Sequence, residues 1–194
     1  MPDADDQLPS PFLGRLSTLL QSLEDWGTFR IGARAAAVVA LIYRREGELY
    51  MPFVARREDF PSHPGQIGLP GGRVRSGEGA WPAAAREVEE EIGVAAADLV
   101  PIGAGEPVYA AVTNYSVVPF MAWLRVPDPR FRADTRELDA VLEVPLARLL
   151  DRSAWRDGQP WPGRNLPVGD AVIWGLTARL LDGLLPLVDA AFAS

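Results

Sequence analysis

The stretch that decides the fold is Gly72–Val94, GRVRSGEGAWPAAAREVEEEIGV. Its second half sets Glu87, Glu89, Glu90 and Glu91 within five residues, with Arg86 as the only adjacent cation. The spacing predicts a helix over Ala80 to Ile92, because Pro82 is tolerated in a first turn and Gly93 is a natural C-terminal stop. Neither Gly79 nor Ala80 offers a capping oxygen, so the helix starts without side-chain help. On it Glu87, Glu90 and Glu91 stand at i, i+3 and i+4 and share one face. Glu87 and Glu91 repel by roughly 0.2–0.5 kcal/mol. Glu90 and Glu91 also occupy the last turn, where the helix dipole disfavours an anion by up to about 1 kcal/mol. A solvated acidic face is the ordinary fate of such a run. A segment that breaks two local rules at once points instead to a functional face.

Immediately upstream, Pro61-Ser62-His63-Pro64-Gly65-Gln66-Ile67-Gly68-Leu69-Pro70-Gly71-Gly72 reads as a glycine-rich loop aimed at the helix. A carbonyl from that loop can complete an oxygen-only shell for a hard cation. Magnesium takes such ligands and keeps substrate phosphate oxygens in its shell, so the pattern points to metal-assisted attack of water on a phosphoanhydride.

The composition agrees. The 194 residues include no cysteine and one histidine, His63. That excludes a disulfide framework, a thiolate zinc site, a cysteine nucleophile and any site needing two imidazoles. No serine sits in a Gly-x-Ser-x-Gly elbow. A formal charge of −7 gives the wrong long-range field for a non-specific nucleic-acid binder. Hydrophobic residues make up 48% and charged residues 23%, the balance of one globular domain. No apolar run reaches the roughly 18 residues of a membrane span. The opening Met-Pro-Asp-Ala-Asp-Asp does not read as a secretion signal, and a cytoplasmic location is expected.

Farther out, a short amphipathic helix is predicted over Pro11 to Trp26, within an N-terminal extension of residues 1–30 that precedes a single domain of 31–194. Strands are predicted over 35–43, 48–56, 99–104, 108–112, 115–126 and 138–144. A short helix follows over 146–150, then a loop over 151–169, and a closing helix over 171–185. The order is mixed α+β around a strand-rich core.

Gly72, five residues, Glu78, seven residues, then Arg86-Glu87-Val88-Glu89-Glu90-Glu91-Ile92-Gly93-Val94 resembles the complete Nudix box, G-x5-E-x7-R-E-U-x-E-E-x-G-U, with U a bulky aliphatic. A chance match is below about one in a hundred million per starting point, which removes the solvated-face reading. Arg56, His63-Pro64-Gly65-Gln66, Leu69-Pro70-Gly71-Gly72, Glu137 to Leu146 and Ile173 to Ala178 are further similar to the coenzyme A diphosphatase branch, with departures at Arg57, Pro61 and Leu69.

The resemblance implies an α/β/α sandwich with a mixed central sheet and a metal-dependent hydrolase. Mg²⁺ or Mn²⁺ would be held by Glu87, Glu90, Glu91 and the Gly72 carbonyl, and coenzyme A would yield 3′,5′-ADP and 4′-phosphopantetheine. Glu87 and Glu90, oriented by Arg86, are the candidate catalytic groups, with Glu137 and Asp139 as outside candidates for the base. Arg56, His63 and Gln66 are expected on the substrate, and Glu78 and Gly93 as structural members of the box. Trp81, Tyr115, Trp155 and Trp161 are candidates to stack an adenine or fill the core, and Trp174 is expected in the core. Two alternatives stay open: the same fold acting on ADP-ribose, dinucleotides or nucleoside triphosphates, and a catalytically silent nucleotide-binding module. The expected partner is a small nucleotide rather than nucleic acid or membrane, with a homodimer left open.

Overall fold

Strand β1 (Arg34–Arg45) organises the molecule, and its alternation builds both cores. Ala36, Ala40 and Ile42 enter one hydrophobic cluster, while Ala37, Val39, Leu41 and Tyr43 enter the other. A strand buried on both faces must be covered on both. The computed structural model describes residues 10–59, 65–158, 160 and 162–193.

Next to β1 lie β2 (Glu48–Arg56), β3 (Ile67–Gly68) and β4 (Gly71–Arg73), followed by helix α2 (Ala80–Ile92), with α1 (Ser10–Leu19) earlier in the chain. Then come β5 (Leu99–Ala104), β6 (Val108–Ala110), β7 (Tyr115–Leu124), β8 (Leu138–Pro145), α3 (Leu146–Leu150), β9 (Arg156–Asp157), β10 (Arg164–Val168), β11 (Ala171–Ile173) and α4 (Gly175–Phe192). The main sheet runs β3-β2-β1-β7-β5, with β4 also on β1, β6 on β7 and β8 on β2. β1 and β7 are parallel and the other pairs antiparallel, so the sheet is mixed, as expected.

Helix α2 covers one face through Ala84, Ala85, Val88 and Ile92. Helices α1 and α4 cover the other, where Phe12 stacks on Phe192 and Arg15 Nε donates to the Ala191 carbonyl at 2.8 Å. This is the helix-sheet-helix layering anticipated from the sequence.

Helix α2 has the expected bounds, no side-chain N-cap bond, and Gly93 in the left-handed region (φ 73°, ψ 22°) with its N–H on the Glu89 carbonyl. The next carbonyls are closed from outside: Arg132 N–H donates to Ile92 and Asp134 N–H to Glu91. Gly93→Ala is expected to cost about 1 kcal/mol through its positive φ, read as a shift in urea midpoint with unchanged slope.

Four expectations are corrected. The first helix ends at Leu19 rather than Trp26, because Gln21 exchanges both backbone hydrogen bonds with Ala104 and leaves the helical path. The strand predicted over 108–112 stops at Ala110. The region read as loop over 151–169 contains β9 and β10, which join β11 in a small second sheet. The closing helix begins at Gly175 and runs through Pro186 to Phe192, since residues 171–173 pair with β10 first.

Candidate active site

The apolar face of α2 is anchored on β1, which turns Glu87 and Glu91 toward β4. Glu91 is 5% exposed. Its Oε2 accepts the Gly71 N–H at 2.9 Å, and its Oε1 lies 3.5 Å from Arg56 Nη2. Arg56 also reaches Glu137 Oε2 at 3.4 Å. Burial pushes the Glu91 carboxyl up to about 7; the Gly71 N–H and Arg56 oppose the rise, and the charges of Glu87 and Glu137 add to it.

Glu87 lies against Gly72. A Cβ on Gly72 would stand 2.5 Å from the Glu87 Cδ, so the carboxylate occupies the space a side chain would need. Arg86 ties the motif together. Its Nε meets Glu78 Oε1 at 2.9 Å, its Nη1 meets Glu87 at 2.6 Å and Glu90 at 3.3 Å, and its Nη2 donates to the Arg73 carbonyl at 3.2 Å. Arg86 first, and then the Arg75 N–H, hold the Glu78 carboxyl down to about 2. Arg75 Nη2 stands 3.7 Å from Glu90, which is exposed together with Glu89.

The structure thus gathers Glu78, Glu87 and Glu90 on Arg86, and Glu91 and Glu137 on Arg56. Asp139 is exposed on β8. Among the described residues no three acidic side chains converge on one ion-sized centre. His63 and Trp161 lie outside the described residues.

Beside the carboxylates opens a cavity of about 250 Å³ between β3, β4 and the start of α4. Arg56, Gln66, Gly71, Gly72, Tyr115 and Trp174 are among its walls. Trp174 is corrected: it is half-buried in extended backbone one residue before α4, so the helical stripe that would have placed it in the core does not include it. Trp81 and Trp155 are structural. Trp81 meets Phe120 edge-on at 5.5 Å, and Trp155 is buried with its Nε1 on the Leu149 carbonyl beneath Arg164. Sequence reasoning did not anticipate the Gly71 N–H as a partner of Glu91; the adjacent pair Gly71-Gly72 is the signal, since each supplies a different backbone approach.

The NUDIX domain family model matches residues 33–162. The chain belongs to the Nudix family. The Nudix hydrolase NudL of Enterobacter sp. (strain 638), itself uncharacterized, is 34% identical over 161 residues, covering 78% of this chain and 81% of its own. The NudL protein of Escherichia coli (strain SMS-3-5 / SECEC) matches at 35% over 118 residues, 60% of this chain and 59% of its own length. Among solved structures, a MutT protein from Methanosarcina mazei Go1 superposes with TM-score 0.53 at 21% identity, over 85% of this chain and 100% of that one. A Nudix hydrolase from Alicyclobacillus acidocaldarius gives 0.55 at 16%, over 84% and 96%. Both are likenesses of fold.

The Nudix residues present fit a divalent cation. Glu87 and Glu91 are oxygen donors, the Glu87 charge adds to the cost of ionising the buried Glu91, and a hard cation relieves that conflict. No helix among the described residues is long and apolar enough to cross a membrane.

Proposed function

We propose that this Nudix hydrolase cleaves the diphosphate of a nucleoside diphosphate derivative, coenzyme A before others, with Mg²⁺ or Mn²⁺. One observation carries the coenzyme A reading. Arg56, Gln66, Gly71, Gly72, Trp174, Leu176 and Thr177, which come from separate segments that each resemble the coenzyme A diphosphatase branch, line a single cavity beside the box carboxylates.

In this reading Glu87, Glu90, Glu91 and the Gly72 carbonyl hold the metal. Bound there, the cation supplies charge neutralisation at the phosphoryl oxygens and lowers the pKa of water. The Gly71 N–H fixes the Glu91 carboxylate, and Arg86 sets the rotamers of Glu87 and Glu90. Glu87 or Glu90 takes the proton of the attacking water, with Glu137 as the outside candidate. The water oxygen bonds one phosphorus while the bridging oxygen departs with the other phosphate. Arg56, at the boundary of carboxylates and cavity, presents a guanidinium fork to phosphate oxygens.

Purified protein incubated with coenzyme A and Mg²⁺ is expected to release 3′,5′-ADP and 4′-phosphopantetheine, resolved by chromatography. Cleavage of ADP-ribose, dinucleotides or nucleoside triphosphates without coenzyme A would replace the substrate. Tight nucleotide binding with no metal-dependent cleavage of any of them would make the chain a binding module.

A further inference from the structure

We propose that Arg73 is the specificity-determining residue for the substrate's nucleotide arm, receiving a phosphate on the ribose 3′ position while the adenine lies against Tyr115 and Trp174. This rests on the coenzyme A reading above. The argument starts from the alternation of β4. The missing Cβ of Gly72 faces Glu87 on the α2 side of the sheet. A strand turns successive residues to opposite faces, so Arg73 belongs to the α4 side, and it lines the cavity there.

Register fixes its neighbours. Ala36 on β1 pairs with Arg73 on one side and with Val117 on the other, so Arg73 is level with Val117, and Tyr115 stands two residues before Val117 on the same face of β7. Arg34 lies over the Tyr115 ring, 5.8 Å from its centroid, and adds a second cation at this end. A chain of net charge −7 therefore sets two arginines, Arg56 beside Glu91 and Arg73, in the wall of one cavity that also holds Tyr115 and Trp174. Gly71, Gly72 and Arg56 line the same cavity as Arg73, and Arg56 and Gly71 are partners of Glu91, so in the proposed pose the diphosphate lies at the Arg56 and glycine end and the 3′-phosphate at Arg73.

Two arginines and two aromatic rings in one wall suit a ligand with two separate phosphate groups and a flat base. Guanidinium recognises phosphate through charge-assisted, bidentate hydrogen bonds. Tyrosine and tryptophan offer the apolar planes a base needs. An ADP-linked substrate without the 3′-phosphate leaves Arg73 unused. Arg73 is exposed, and its substitution removes no buried contact.

The test compares ligands that differ only in that phosphate. Binding of 3′,5′-ADP and 5′-AMP to wild type, Arg73→Gln and Arg73→Lys is measured by calorimetry, and kcat/KM is measured for coenzyme A and dephospho-coenzyme A. Arg73→Gln is expected to weaken 3′,5′-ADP about ten- to a hundredfold, as loss of a charge-assisted phosphate contact should. It should lower kcat/KM for coenzyme A by the same factor, mainly through KM. Binding of 5′-AMP and cleavage of dephospho-coenzyme A should change by less than about twofold, and Arg73→Lys should restore part of the loss. Equal effects on both members of each pair, or none, would overturn the role of Arg73 while leaving coenzyme A cleavage standing. Absence of coenzyme A cleavage and of 3′,5′-ADP binding in the wild type would overturn the substrate reading and this inference together.

Discussion

Glu91→Gln is expected to abolish turnover, by about a thousandfold or more, and at the same time to stabilise the metal-free protein at alkaline pH. The first effect follows from the proposed ligand role, since a divalent cation in such a site is worth several kcal/mol of transition-state charge. The second follows from burial. Glu91 is 5% exposed, and its carboxyl is pushed up to about 7 from an ordinary 4.5. Between those values the folded state holds a proton that the unfolded chain has released. Metal-free stability therefore falls as pH rises from about 4.5 to about 7, by on the order of 3 kcal/mol in total. Glutamine can still accept the Gly71 N–H and carries no charge, so the variant should lack this slope. Urea titrations in EDTA from pH 5 to pH 8 measure it, and a wild type more stable than Glu91→Gln at pH 8 would contradict the account. Added Mg²⁺ should raise the stability of the wild type and not that of the variant.

Two neighbouring glycines should fail in different ways. Gly71 has φ 145°, and a Cβ there would stand 2.5 Å from the Val38 Cα and also strike the Ala37 carbonyl, both rigid parts of β1. Gly71→Ala is expected to destabilise by several kcal/mol, enough to deplete soluble protein or shift the melting temperature by ten degrees or more. A Cβ on Gly72 would meet only the carboxylate end of Glu87, which can rotate away. Gly72→Ala should therefore fold, melt near the wild type and lose about a hundredfold or more in kcat, because Glu87 no longer rests where Arg86 and β4 place it. Thermal melting and metal-dependent kinetics on the two variants separate these outcomes. A folded, active Gly71→Ala would show that β4 can shift away from β1.

The degree to which the sequence could be read tracks how local each cause is. The bounds of α2 were legible because helical spacing, Pro82 and Gly93 act within a few residues. The shared face of Glu87, Glu90 and Glu91 was legible for the same reason. The end of α1 was not, since a bridge from Gln21 to Ala104 stops it. The small sheet of β9, β10 and β11 was not, since strands of two, five and three residues are too short to show a period. Trp174 was misplaced because apolar spacing continues through residues 171–173 before any helix begins.

By itself, then, the sequence determined the family, the mixed layered architecture and the identity of the carboxylates, because a motif of fixed spacing on a helix carries its own geometry. Which partner each carboxylate meets was decided only in three dimensions. Glu91 finds the Gly71 N–H twenty positions back and Arg56 on another strand, Glu87 finds the bare Cα of Gly72, and Arg73 shares a cavity wall with Tyr115 of β7. Those pairings depend on strand register and on which face of the sheet each residue takes, and contacts between segments distant in the chain leave no periodicity in either segment alone.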